Sequence, residues 1–215
     1  MRNKLLCITC LLLLAGCEAP PVKKTEPQAA ATVAFASPLD REIRSLLEKG
    51  VSMSGRKCQV KAIEAAFTRC TTPERARQLA AICFTKTLGT PFMPFDLAEI
   101  ALAETGGHRL SAVAVSSKGA LGVWQLMPQR ARSHGYTPQD MGNDGKCAEA
   151  AIRELFTKLQ AASGNLERAK KLYCGWGPQA DAYMKRVRHF RLEMLAELGR
   201  QNERIAMEES GIKTP

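Results

Sequence analysis

After residue 40 the apolar residues of this chain recur at three- and four-residue spacing and nowhere alternate convincingly with polar ones, which favours helices over strands. Ile43, Leu46 and Leu47 form a short stripe ended by Gly50. Val60, Ile63, Phe67 and Cys70 fall on one face of a second helix. Thr71-Thr72-Pro73-Glu74 opens a third, with a hydroxyl cap and a proline in the first turn, and Ala76, Leu79, Ala80 and Cys83 form its apolar face. Gly89 to Pro94 is rich in breakers. A helix from about Phe95 to Glu104 follows, closed by Gly106-Gly107, and residues 108–122 read as a loop. Ala148, Ile152, Leu155, Phe156 and Leu159 form another stripe, stopped at Ser163-Gly164-Asn165. Leu166, Ala169 and Tyr173 line a short helix. From Gln179 onward, Tyr183, Val187, Phe190 and Met194 mark a long basic amphipathic one. The fold class is mainly α, without an internal repeat.

The N-terminus has a different character. Arg2 and Lys4 precede an apolar run from Leu5 through Leu14, an export-signal pattern too short to span a bilayer. The run ends Leu14-Ala15-Gly16-Cys17, which resembles the bacterial lipoprotein cleavage box. That resemblance implies removal of residues 1–16 and lipidation of Cys17; an ordinary export signal that contains a cysteine is the alternative. Residues 17–38, with four prolines and almost no periodicity, read as a flexible tether. A helical extension at 39–90, a main helical domain at 91–195 and a helix end and tail at 196–215 complete the chain. The formal charge of +10 calls for an anionic partner, and loss of Arg2 and Lys4 leaves +8. Export argues against nucleic acid. It leaves a membrane, reached through the lipid, and the carboxylate-rich glycan-peptide wall. Glu18 after the lipidated cysteine favours the outer membrane while leaving the inner one open.

Of the 8 cysteines, Cys7 and Cys10 leave with the signal. Cys58, Cys70, Cys83, Cys147 and Cys174 lack metal-ligand spacing, so no metal site is expected. An oxidising periplasm favours disulfides. Cys70 and Cys83 bracket one helix and stand roughly 17 Å or more apart at about 1.5 Å per residue, beyond disulfide reach; Cys58 and Cys70 fail similarly. If helices 58–70 and 73–83 form an antiparallel hairpin, Cys58 meets Cys83. The same logic pairs Cys147 with Cys174 and leaves Cys70 a buried thiol. The other reading, that all five are small core residues, stays open at this point.

Glu104 carries the chemical signal. Leu97, Ile100 and Ala101 define the buried face of its helix, and position 104 continues that stripe instead of facing water. It also lies in the last turn, beside the partial negative charge of the helix end. Desolvation and that dipole both disfavour the carboxylate, so both raise its pKa. A carboxyl group that keeps its proton near neutrality is what protonation of a glycosidic oxygen requires. Periodicity by itself favours the plainer reading, a glutamate at a frayed helix end that swings into solvent.

The flanking residues extend the pattern. Glu104-Thr105-Gly106, Ala114-Val115-Ser116, the block Gly119-Ala120-Leu121-Gly122-Val123-Trp124-Gln125-Leu126-Met127-Pro128, and Leu172-Tyr173-Cys174 with Gly177 together resemble the lytic transglycosylase family of peptidoglycan-cleaving enzymes over roughly residues 90–190. The resemblance implies a lysozyme-like helical domain at 91–195, with residues 39–90 as an N-terminal helical hairpin extension. It implies that Glu104 protonates the leaving oxygen and then acts as base. Thr105, Ser116, Gln125, Met127 and Tyr173 would contact the sugar or orient the acid. Plain core packing is the competing explanation for Met127 and Trp124, and a backbone-bonded core tyrosine for Tyr173. The sequence departs from the family at Cys174, where an asparagine is usual, and by about three extra residues between Glu104 and Gly119.

Hydrolytic glycosidases generally use two carboxyl groups. Glu99 would lie on another helix face, and Asp140, Asp144 and Glu149 read as loop or cap residues. With one acid the substrate itself would complete the chemistry, and the reaction the resemblance implies is cleavage of the bond between N-acetylmuramic acid and N-acetylglucosamine with closure of a 1,6-anhydro ring, which needs no cofactor. A hydrolytic muramidase on the same fold and a non-catalytic wall-binding lipoprotein are the alternatives. The expected location is periplasmic and lipid-anchored. A protein partner in the envelope machinery has no sequence signature here.

Overall fold

The computed structural model describes residues 53–210. The signal segment, Cys17, the tether, the stripe at 43–47 and residues 211–215 lie outside the described residues. The elements run α1 (Met53–Thr68), α2 (Pro73–Thr87), α3 (Pro94–Thr105), a 3₁₀ turn at Gly106–His108, α4 (Pro128–Ser133), a 3₁₀ turn at Pro138–Gly142, α5 (Asp144–Ala161), α6 (Leu166–Cys174) and α7 (Pro178–Glu209). The described residues are mainly helical and hold no strand; isolated bridges pair Leu121 with Val115 and with Leu126.

Local chemistry sets the boundaries. Thr72 accepts the Arg75 amide at 3.4 Å, with Pro73 at the first helical position. Asn143 and Asn165 cap α5 and α6 in the same manner. At the far end of α2, the buried Arg56 of α1 donates to the carbonyls of Thr87 (3.1 Å), Thr90 (3.2 Å) and Phe92 (2.7 Å). A cation on the last carbonyls of a helix satisfies orphan acceptors and complements the dipole. It also ties the start of α1 to the end of α2, and the two helices pack along one another.

Helix α3 is the axis of the core. Eleven of its twelve residues are buried, and Glu104 is the exception. It packs against α7, α2 and α1, so it is apolar nearly all round and not on one stripe alone. Leu97 and Ile100 of α3 join Ile63, Phe67, Leu79, Trp124 and Leu155 among the fully buried side chains.

Two of the buried residues of α3 are acids. Asp96 and Glu99 meet Lys170 of α6 at 2.6 and 2.5 Å, and Arg191 of α7 donates to both. Burial pushes both carboxyls up. For Asp96 the two cations outweigh it and hold the group below its ordinary range, whereas for Glu99 burial wins. This quartet fastens α3, α6 and α7 together.

All five described cysteines are free thiols, so neither Cys58–Cys83 nor Cys147–Cys174 is bonded. Cys58 lies two residues beyond the inward Arg56, about 200° round the helix, and is exposed while Cys83 is fully buried. Cys147 is buried and Cys174 is exposed at the end of α6. Cys70 is half-buried.

Candidate active site

Glu104 stands in the last turn of α3, half-buried, where three elements meet. From α7 come Tyr183 and Arg186, and from α6 come Tyr173 and Cys174; the charge of Glu104 is felt at both tyrosines and at the thiol. Burial raises the Glu104 carboxyl to about 7, against a smaller downward pull from the Tyr183 hydroxyl and from Arg186. The Tyr183 hydroxyl is fully buried and has no hydrogen-bond partner of ordinary geometry. The acid it stabilises is the polar group it can serve. Tyr183 appears in the sequence only as a marker of helix periodicity, and nothing in that pattern separates it from a packing residue.

The loop from Gly119 to Pro128 is fastened to this corner by side chains. Thr105, next to the acid, is fully buried and donates its hydroxyl to the Val123 carbonyl at 2.7 Å. That placement corrects its expected role as a sugar contact: it joins the helix of the acid to the loop. Trp124, also fully buried, donates its indole N–H to the Leu97 carbonyl of α3 at 3.0 Å. Tyr173 donates to the Trp124 carbonyl at 2.8 Å, so its hydroxyl proton is committed to the backbone and Tyr183 takes the place expected for it beside Glu104. Gly122 has φ +73°, and a Cβ there would lie 2.4 Å from the Met141 carbonyl oxygen and 2.7 Å from Cys147 Sγ. Only glycine fits.

Ser116 shapes a turn. Its hydroxyl accepts the amides of Ala120 at 2.9 Å and Lys118 at 3.3 Å, and it is not among the residues lining the groove described next. Gln125, at φ +50°, donates its amide to the carbonyls of Gly122 (2.7 Å) and Ala114 (3.3 Å), which leaves the amide oxygen for a ligand.

A groove of about 250 Å³ opens between this loop and the end of α6, lined by Gln125, Met127, Arg130, Tyr173, Cys174 and Trp176 among others. Glu104 does not line this groove, but its charge is felt at Tyr173 and Cys174, which do. Gln125, Met127 and Tyr173 are thus brought together, while Thr105 and Ser116 support them. Trp176 is 80% exposed. A large aromatic left in water at a groove mouth offers a flat face for the C–H side of a sugar ring. It lies two residues beyond Cys174 and the sequence pattern does not single it out.

The other acids are engaged. Glu154 lines the groove but is bound by His134 at 2.7 Å, Lys158 at 3.0 Å and Arg130 at 3.6 Å, and these contacts outweigh burial to hold its carboxyl below the usual range. Asp140 caps Thr137, Asp144 pairs with Arg75, and Glu149 with Lys86 and Arg153. Among the described residues no cluster of three or more His, Cys, Asp or Glu side chains is placed to hold a metal ion, and no helix is long and apolar enough to cross a membrane. No protein-family model, no curated protein and no solved structure matches this chain, so what it does has to be argued from its own side chains.

Proposed function

We propose that this chain is a lytic transglycosylase with a lysozyme-like domain, cutting the β-1,4 bond between N-acetylmuramic acid and N-acetylglucosamine in peptidoglycan. The reading is supported above all by Glu104, a carboxyl whose burial raises it to about 7, served by the buried Tyr183 hydroxyl and felt at two residues that line an open groove. Such a group holds a proton at neutral pH and is poised to release it to a glycosidic oxygen. Among the described residues no carboxylate stands among the main influences on Glu104, and Glu154 is already engaged by Arg130, Lys158 and His134, which favours a single-acid route over the two-carboxylate one of hydrolysis.

With one acid, the substrate completes the chemistry. Glu104 gives its proton to the leaving oxygen as the glycosidic bond breaks, and the neighbouring acetamido group stabilises the positive sugar carbon. The carboxylate then takes the proton of the sugar's own 6-hydroxyl, whose oxygen closes the 1,6-anhydro ring. Glu104 is regenerated protonated and no water is consumed. Tyr183 steadies the carboxylate between the two proton transfers. The export-signal pattern and Cys17 support a periplasmic, lipid-anchored location for it, with the outer membrane favoured.

Incubation of the protein with purified wall, followed by mass spectrometry of the soluble fragments, tests this. Fragments ending in 1,6-anhydro sugars are expected, and none from Glu104→Gln. Free reducing ends in their place would assign hydrolysis. Absence of soluble fragments from the unmodified protein would leave a wall-binding role.

A further inference from the structure

The two tryptophans of this chain have opposite surroundings. Trp124 is fully buried and bonded to α3, whereas Trp176 is left almost wholly in water. An indole in that position adds little to the core, so where the fold carries it is informative. Trp176 lies in the short connection of residues 175–177 between α6 and α7, with a glycine at positive φ on either side (Gly175 at +126°, Gly177 at +88°). Both ends of the connection are tied down: the Gly175 amide donates to the Lys171 carbonyl at 3.2 Å, and the Ala180 amide to the Gly177 carbonyl at 2.9 Å. The indole is thus carried to the groove by two helices that pack on each other.

The groove limits what that face can meet. At about 250 Å³ it is smaller than the pockets that enclose a drug-sized ligand, and it has room for a single ring. Its cations Arg130 and Lys158 are both turned onto Glu154, and the Tyr173 hydroxyl donates to the Trp124 carbonyl. What stays open to a ligand is the indole face and the amide oxygen of Gln125, a hydrogen-bond acceptor. A pyranose ring answers to both. Its C–H face is flat and apolar, and its edge carries O–H donors and, in an N-acetyl sugar, an N–H. The same wall leads back to the acid through hydrogen bonds: Thr105, next to Glu104, holds the Val123 carbonyl, and Tyr173 holds the Trp124 carbonyl beside it. Glu104 does not itself line the groove, so a ring seated here is not the one whose bond is cut. We infer that Trp176 is the stacking platform of an accessory subsite, which holds an N-acetylhexosamine ring of the strand away from the bond being cut; this rests on the glycan-cleaving reading above. Trp176 is then a positioning residue: it sets how firmly the strand is held and takes no part in the proton transfers at Glu104.

The test titrates the full-length Glu104→Gln protein with chitotetraose, a neutral oligomer of N-acetylglucosamine, and follows indole emission. Trp124 is already out of water, so a blue shift and shielding from acrylamide report on Trp176. Both are expected. Trp176→Ala should weaken chitotetraose binding about tenfold and Trp176→Phe should retain most of it, while the urea midpoint of either stays where it was, because the side chain is exposed. With Glu104 intact, Trp176→Ala should raise the half-saturating concentration of purified wall about tenfold and leave the limiting rate of anhydro-fragment release unchanged, the signature of lost ground-state holding. An emission that does not respond to chitotetraose, or equal binding by Trp176→Ala, overturns the subsite; so does a blue shift given by an apolar peptide and not by chitotetraose, which would assign the indole to a protein partner. If the unmodified protein and Trp176→Ala release anhydro fragments at the same half-saturation, the subsite falls and the glycan-cleaving reading stands. If chitotetraose is held through Trp176 and the unmodified protein releases no fragments, the cleaving reading falls and a sugar-binding groove stands.

Discussion

At the start of α3, Asp96 and Glu99 are buried against Lys170 and Arg191; at its end, Glu104 has no ion pair among the described residues and shares its surroundings with Tyr173 and Tyr183. The helix is the same and the residue type nearly so. The difference lies in what faces each carboxyl. Where two cations meet two acids, the charges are locked and the result is a fastening of three helices. Where burial acts against one hydroxyl and one more distant guanidinium, the acid keeps a mobile proton. Burial alone therefore does not decide how an acid behaves; the groups that face its carboxyl do.

The largest effect expected at the unpaired end is chemical. Glu104→Gln should lower anhydro-product formation by about a thousandfold or more, since one group serves as both acid and base, with stain-free fragment mass spectrometry as the readout. At the paired end, Lys170→Met should instead destabilise the fold by about 3–5 kcal/mol in urea unfolding, because it strands two buried carboxylates. The two ends should then diverge in sign. Glu104 has a folded-state value of about 7 against an ordinary 4.5, so between these the unfolded chain releases a proton that the folded one retains. Stability contributed by this group is present at low pH and lost as pH rises through that window. Glu104→Gln should therefore stabilise the protein by about 1–2 kcal/mol at pH 8 and by nothing measurable at pH 4. A destabilised Gln variant at pH 8 would break the contrast. The smallest change sharpens it: Tyr183→Phe removes a hydroxyl that favours the carboxylate, so the alkaline limb of the pH–rate profile should move above about 7, with roughly a tenfold loss in rate.

Much of this arrangement is legible in the chain because its causes are local. Helix spacing, the Thr72-Pro73 start and the glycine-rich stop after Glu104 each act within a few residues. Glu104 is legible because an acid in an apolar helix is unusual by itself. Glu99 is less so: a face-by-face reading sets it apart from the apolar stripe, but α3 is enclosed on nearly all sides, and its burial depends on Lys170 and Arg191, which lie far along the sequence. Tyr183 and Arg186 escape for the same reason, since only the packing of α7 on α3 brings them to the acid. The sequence block around Thr105 and Ser116 does not reveal which of its members line a groove and which hold the wall behind it. Cysteine pairing depends on the rotation of each helix about its axis, and spacing does not report that.

The loop at Gly119–Pro128 has one further consequence. Its carbonyls at Gly122, Val123 and Trp124 are each engaged by a side chain, from Gln125, Thr105 and Tyr173, and Trp124 in turn grips α3. One wall of the groove is thus fixed before any ligand arrives. A ligand settling against it gives up mainly its own freedom of motion, and this wall contributes little ordering penalty. Were the ligand the glycan strand proposed above, recognition would approach the fitting of one rigid surface to another.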